Sequence, residues 1–366
     1  MSTVQDAPER EARSYRSYTR PLWWRLLLNR EAAVIVALVA VILWAIYFVP
    51  FFGNQLTMTF LLLDIAPILL IALPMTMVII TGEIDLSVAS VVGLSSVLLG
   101  TLVDHGWSVP AAMVVALLAG VVCGLLNGFL VAYVGLPSLA VTIGTLALFR
   151  GIAVGLLGTK AVTDFPAGWT ALAKAKIGAT GLPVVVIPFL VLALAIGLLL
   201  QFSSFGRGIY DIGLNAEAAQ FTGVSVARTK LLLFVMTSVV SAFAGIYFTL
   251  RFSSSRGDNA TGLELQVIAA VLLGGVSIFG GRGRLPGVIA GVLLIGVLSS
   301  ALRLQGTTVN VINIIIGVLL IASVMSTSVL AWFSDLNARR HNRSRNRSGP
   351  TTLAPAGVGN PKEVDR

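Results

Sequence analysis

Ten apolar runs, each near the length of a bilayer crossing, succeed one another along this chain and leave little material for a water-soluble core. A spanning helix needs roughly 20 predominantly apolar residues, and its backbone must satisfy its own polar groups because hydrocarbon offers no partner. On that ruler the runs are 32–52, 59–80, 86–103, 109–133, 138–157, 182–201, 229–250, 265–280, 286–303 and 309–331. Only 11% of the 366 residues are charged, against about 25% in a soluble domain. Hydrophobic residues make up 56%, and mean hydropathy is +0.93. The sequence predicts an all-α polytopic membrane protein with about ten transmembrane helices. The eighth and ninth runs are short and glycine-rich, which blurs their limits. Pro67 and Pro74 in the second run each remove a backbone donor, so kinks or local unwinding are expected there.

Charge gives the expected orientation. Cytoplasmic segments of membrane proteins carry an excess of Lys and Arg. With ten spans and a cytoplasmic N-terminus, the inside segments hold Arg10, Arg13, Arg16, Arg20, Arg25 and Arg30, then Arg207, Arg228 and Lys230. They also hold Arg282 and Arg284 and the seven basic residues of the C-tail, which makes 18 of the 25 basic residues. The expected layout is a cytoplasmic N-terminal tail over 1–31, a transmembrane domain over 32–331 and a disordered, basic, cytoplasmic C-terminal tail over 332–366. The first run exceeds a signal-peptide core of about 7–15 residues and no small-residue cleavage site follows it, so it reads as an uncleaved anchor. A net charge of +9 concentrated in the tails fits membrane orientation and contact with membrane lipid, with no nucleic-acid partner. The single cysteine, Cys123, excludes a disulfide framework.

Thr81-Gly82-Glu83-Ile84-Asp85-Leu86-Ser87 interrupts the second and third runs with two carboxylates, a helix-breaking glycine and a hydroxyl. Ionisable groups at membrane depth are costly and tend to line polar pathways, and non-helical backbone survives there only under cover of protein or water. The other reading of the same residues is a surface turn capped by Asp85 and Ser87. A short echo, Thr261-Gly262-Leu263-Glu264, falls on the opposite side in the ten-span layout. Matching segments of opposite orientation are what an inverted-topology repeat leaves behind, and a chance match is the alternative. Arg150 lies within the fifth run, where an unpaired arginine costs about 2.5–3.5 kcal/mol on insertion scales. It needs a pathway or ion-pair partner, or must snorkel to an interface. Gly120, Gly124 and Gly128, and again Gly283, Gly287 and Gly291, recur at the four-residue spacing that lets helices pack closely.

The longest inside loop, 202–228, contains a helix-compatible piece from Asn215 to Phe221. Asn215 suits an N-cap, Glu217 the positive helix end, and Gly223 a left-handed stop. It is either a docking element on the cytoplasmic face or a solvated linker. No G-x-x-x-x-G-K-[ST] phosphate cradle, zinc motif or serine-nucleophile elbow occurs, and His105 and His341 stand far apart. These absences disfavour an enzyme, a metal site and a cofactor.

Several segments together resemble one family. Gly-x-Ile-Asp-Leu-Ser-Val-x-Ser from Gly82 to Ser90 is similar to the signature of the permeases of bacterial monosaccharide ABC importers, the ribose, xylose, arabinose, rhamnose and autoinducer-2 group. Asn127 to Pro137, running on to Thr142 and Arg150-Gly151, resembles the family's fourth and fifth spans. Ile212 to Gly223 resembles its cytoplasmic loop, and Ile268 to Gly275 with Phe279 to Gly283 the segment that follows. The resemblance covers about residues 35–330.

It implies a non-catalytic permease of the bacterial inner membrane, both termini cytoplasmic, carrying a pentose, a deoxyhexose such as rhamnose, or autoinducer-2. It implies separate cytoplasmic ABC ATPase subunits, an extracytoplasmic sugar-binding protein, and a homodimer or a heterodimer with a paralogue. The residues it points to are Glu83, Asp85, Ser87, Asn127, Thr142 and Arg150 for the translocation pathway. For ATPase coupling they are Gly213, Asn215, Glu217, Ala218, Ala219 and Gly223. Glu83 and Ala89 depart from the glycine many members carry at those positions, which leaves the sugar open. The alternatives are a nucleoside or branched-chain amino-acid permease of the same class, an ion-coupled secondary transporter using Asp64, Asp85 and Arg150, and a membrane enzyme.

Overall fold

The computed structural model describes residues 30–322 and 325 of the chain. The chain forms two units, Met1–Leu320 and Ile321–Arg366, of which the first holds nearly all the described residues. Nearly all of the expected N-terminal tail and the whole of 332–366 lie outside the described residues.

The described residues are helical apart from loops and two isolated β-bridges, Val162 with Ser255 and Lys176 with Pro183. In order the helices are α1 (Arg30–Phe48), α2 (Gln55–Ile80), α3 (Val88–Asp104), α4 (Val109–Ala132), α5 (Ser138–Leu157), α6 (Ala167–Lys174) and α7 (Val186–Phe202). There follow α8 (Ser204–Leu214), α9 (Ala216–Phe221), α10 (Val226–Phe252), α11 (Leu263–Leu273), α12 (Leu285–Leu304) and α13 (Val309–Ala322). Six of them (α1, α2, α4, α5, α10 and α12) are long and apolar enough to cross a membrane, and the apolar α7 is followed by α8 at a bend of 72°. The shorter apolar helices α3, α11 and α13 lie on the remaining three runs, and the part of the last run beyond Ala322 falls, save residue 325, outside the described residues.

The clearest departure from expectation is the eighth run. Its helix stops at Leu273, and residues 274–284 form a loop rather than continuing to 280. Gly274, Gly275, Gly280, Gly281 and Gly283 score as apolar but lose the most backbone entropy in a helix. The loop instead bonds across the bundle, Gly281 N donating to the Ile80 carbonyl at 2.8 Å.

Helix α2 is the axis, with 67% of its apolar window buried against 17% for the peripheral α1. It stays helical through Pro67 and Pro74, so the expected local unwinding does not occur. Pro67 cannot donate to the Leu63 carbonyl, and that carbonyl accepts from the Tyr247 hydroxyl of α10 at 3.0 Å instead. Gly120, Gly124 and Gly128 let α4 lie on α10: a Cβ on Gly124 would come within 2.6 Å of the Val235 Cα. Gly287 and Gly291 bring α12 equally close to the carbonyls of Gly274 and Ala270. Gly283 precedes α12 and so falls off that helix face.

Candidate functional site

Two stretches of non-helical backbone enter this apolar bundle. The first, Thr81–Ser87, joins α2 to α3; the second, Ser253–Gly262, joins α10 to α11. Each follows one of the two longest helices, of 26 and 27 residues, and each contains a Thr-Gly pair. The glycines have nearly the same backbone angle, φ 82° at Gly82 and 85° at Gly262, a left-handed conformation that glycine adopts without strain.

Hydroxyl and amide groups from α4 and α5 hold the first break. Asp85 is fully buried, and its Oδ1 accepts from Ser87 N at 2.9 Å and Ser87 Oγ at 2.6 Å. Asn127 Nδ2 donates to Ser87 Oγ at 2.8 Å. Ser138 Oγ at the start of α5 accepts from Ile84 N (3.2 Å), and Thr142 Oγ lies 3.2 Å from the Ile84 carbonyl. A buried unpaired backbone group costs about 1–3 kcal/mol, so these side chains are what allow the chain to leave helical geometry here. The carboxylate is therefore buried and bonded within the break itself.

The second break is held by α3 and α10. Ser255 Oγ donates to the Ser96 carbonyl at 2.8 Å, while Ser96 Oγ accepts from Asn259 Nδ2 at 2.9 Å and from Thr249 Oγ at 2.6 Å. Among the described residues Arg150 pairs with no carboxylate, and its guanidinium turns to backbone carbonyls instead. Its Nη1 donates to the carbonyls of Gly257 (2.8 Å) and Asn259 (2.7 Å), and its Nη2 to that of Ala89 (3.2 Å). A Cβ on Gly93 would stand 2.5 Å from Nη1, so the missing side chain there makes room for the guanidinium. One cation thus ties the second break to the first turn of α3, directly beyond the first break.

Glu83 belongs to neither network. Its Oε1 meets Lys230 Nζ of α10 at 2.5 Å, with both side chains largely buried. Near the opposite end of the bundle, Asp64 lies 3.4 Å from Arg251 and 3.5 Å from Arg303, beside a cavity of about 290 Å³ that also includes Phe60, Gln266 and Asn313.

The loop after α7 is folded as two short helices. Asn215 caps α9, its Oδ1 accepting from Ala218 N at 2.9 Å, and Gly223 turns the chain with φ 89°. Ala219 is buried and Ala218 and Glu217 reach the surface, with Phe221 92% exposed at the tip. Gly213 at the end of α8 lies against the Ile80 carbonyl and the Gly281 backbone.

Asp85, Ser87, Asn127 and Thr142 are therefore gathered by the fold, while Glu83 and Arg150 each serve a separate contact. Ser138, Ser96, Asn259 and Lys230 escaped sequence reasoning. The Thr261-Gly262 echo pointed to the neighbourhood of Asn259, and nothing local marked the other three. Among the described residues no three His, Cys, Asp or Glu side chains gather as a metal site would require.

Comparison with known proteins matches the sequence of this chain to transport permeases. A family described as "Branched-chain amino acid transport system / permease component" matches residues 57–324. The autoinducer 2 import system permease protein LsrD of Salmonella typhimurium (strain LT2) is 36% identical over 286 residues, covering 75% of this chain and 84% of that protein. LsrD of Yersinia enterocolitica is 36% identical over 266 residues, covering 71% of this chain and 80% of its own length. No solved structure matches the chain at comparable significance. With a family match over more than half its length, and relatives of this identity aligned over most of theirs, the chain belongs to the family of membrane permease components of the branched-chain amino acid transport system type.

Proposed function

We propose that this chain is the membrane subunit of an ATP-driven importer for a small polyhydroxylated solute of the monosaccharide class, autoinducer-2 above all. The observation that carries the reading is the seating of α8 and α9. A two-helix element with an exposed Phe221 presses Gly213 onto the last residue of α2, immediately before the break at Thr81–Ser87. That is the geometry needed by a protein that has no phosphate cradle and must receive force from a separate ATPase. The 36% identity to autoinducer 2 import permeases supports the substrate.

In this reading residues 32–331 form the permease domain, and 1–31 and 332–366 are cytoplasmic tails. The bundle end carrying Ile80, α8 and α9 is cytoplasmic. Gly213, Asn215, Glu217, Ala218, Ala219 and Gly223 form the ATPase-coupling element in loop 202–228. Asp85, Ser87, Asn127 and Thr142 hold one broken segment of the translocation route, and Arg150 holds the other. A substrate-binding protein docks at the opposite end, and a second permease subunit, identical or paralogous, completes the pathway. The family description favours one competing cargo, a branched-chain amino acid.

The test is reconstitution with the cognate ATPase and binding protein in proteoliposomes. ATP-dependent uptake of autoinducer-2 without uptake of leucine is expected. Leucine uptake alone would replace the substrate, and uptake driven by an ion gradient without ATP would replace the class.

A further inference from the structure

Lys230 and Glu83 lie 147 positions apart in sequence, yet they form the closest ion pair in the described structure, at 2.5 Å. Their side chains are only 18% and 15% exposed. Glu83 is part of the break that ends α2, and Lys230 is in the second turn of α10. Between the surface helix α9 and Lys230 the chain has no slack. Thr222 N donates to the Ala218 carbonyl at 3.2 Å, Gly223 N to Gln220 at 3.0 Å and Val224 N to Ala219 at 3.0 Å. Val226 N then bonds the Val224 carbonyl at 3.0 Å, and Thr229 N the Ser225 carbonyl at 3.0 Å, as α10 begins. A segment so bonded moves as one piece, so displacement of α9 arrives at the Lys230 ammonium. A partly desolvated pair resists separation more than an exposed one, because parting the charges leaves each one poorly solvated.

We infer that Lys230–Glu83 is a coupling strut: it carries motion of the α8–α9 element into the Thr81–Ser87 break, separately from the contact of Gly213 with Ile80. Both residues are positioning residues that touch no solute. The inference rests on the reading of the chain as an ATP-driven permease, and it adds a named linkage between the ATPase-facing surface and one broken segment.

The test uses the full chain in complex with its ATPase, with Cys123→Ala removing the native thiol and Ile84→Cys reporting on the break. Maleimide labelling at position 84 is measured with and without ATP, alongside ATP hydrolysis. Glu83→Gln and Lys230→Met should keep the ATPase bound and hydrolysing within about twofold of the parent. Their nucleotide-dependent change in labelling should fall about tenfold, the size of effect contacting pairs produce. The exchanged pair, Glu83→Lys with Lys230→Glu, should recover most of that response, which a merely structural need for either residue would not allow. A full nucleotide response in the single variants overturns the strut, as does loss in the singles with no recovery in the exchange. A parent complex whose labelling ignores ATP altogether overturns instead the reading as an ATP-driven permease, so the two failures are distinguishable.

Discussion

Gly213 packs so tightly against Ile80 that a Cβ on the glycine would fall 1.8 Å from the isoleucine carbonyl oxygen and 2.4 Å from Gly281 N. Backbone cannot yield as a flexible side chain can, so α8 is keyed to the end of α2 and to the loop after α11 together. Gly213→Ala should leave the chain inserted but displace α8 at a cost of about 1–3 kcal/mol. Uptake in reconstituted vesicles should fall at least tenfold while ATP hydrolysis persists. Gly197→Ala, whose Cβ would meet only Leu285 Cδ1 at 3.8 Å, is the control and should transport normally.

Asp85 acts through Ser87. Asp85→Ala removes the acceptor of two hydrogen bonds in a buried site and should cost about 1–3 kcal/mol. It should also abolish most uptake at unchanged membrane abundance. Asp85→Asn keeps an oxygen at the same place and should retain clearly more transport than the alanine variant. Uptake assays normalised by immunoblot decide this, and equal activity of Asp85→Ala and the parent would reduce the residue to an ordinary turn cap.

Arg150 spans two segments with a forked guanidinium, and an ammonium cannot reproduce that fork. Arg150→Lys should reach one carbonyl group at best and lower the melting temperature in detergent, and Arg150→Met should lower it further. Each orphaned carbonyl is worth about 1–3 kcal/mol. A thermal shift indistinguishable from the parent in both variants would show that the second break holds without the clamp.

Phe221 is a large apolar side chain left 92% exposed on a helix too short to be stable alone. On the proposed coupling role of α9, Phe221→Ala should weaken ATPase co-purification by about 2 kcal/mol, the size of an interface hot spot. Affinity capture from membranes at several salt concentrations measures it. Unchanged recovery of the ATPase would move the docking surface elsewhere, to be sought around the exposed Arg282 and Arg284.

Topology is checked by thiol labelling in a Cys123→Ala background. Lys174, whose Nζ lies 3.3 Å from Ser253 Oγ just past α10, should label from outside as cysteine. Arg207 in α8 should label only from the cytoplasm. Labelling of both from one side would refute the orientation with cytoplasmic ends.

The sequence's hydropathy located the ten apolar segments because burial in hydrocarbon leaves a local, periodic trace. It failed where glycine mimics an apolar residue without favouring a helix, at 274–284, and where a proline's orphaned carbonyl finds a distant hydroxyl, as Leu63 finds Tyr247. Asn215 and Gly223 were legible as cap and stop since both act within a few residues of themselves. That Arg150 needed partners was also legible from its cost. Their identity was not, because three backbone carbonyls on two other segments carry no residue-type signature. Glu83 read as a lining group for the same reason: its cation is 147 positions away, and only the packing of α10 beside the break brings the two together.

The matched glycines, Gly82 and Gly262, give the two ends of the bundle the same device: a long helix, a left-handed glycine, a polar break and a shorter helix. A scaffold that presents one motif in two opposed senses has no arrow of its own. Left to itself it would open toward either side with equal logic, as a turnstile without a ratchet does. Whatever makes traffic one-way must then reside in the features that break the likeness, and chief among them is the α8–α9 element seated over the Lys230–Glu83 pair.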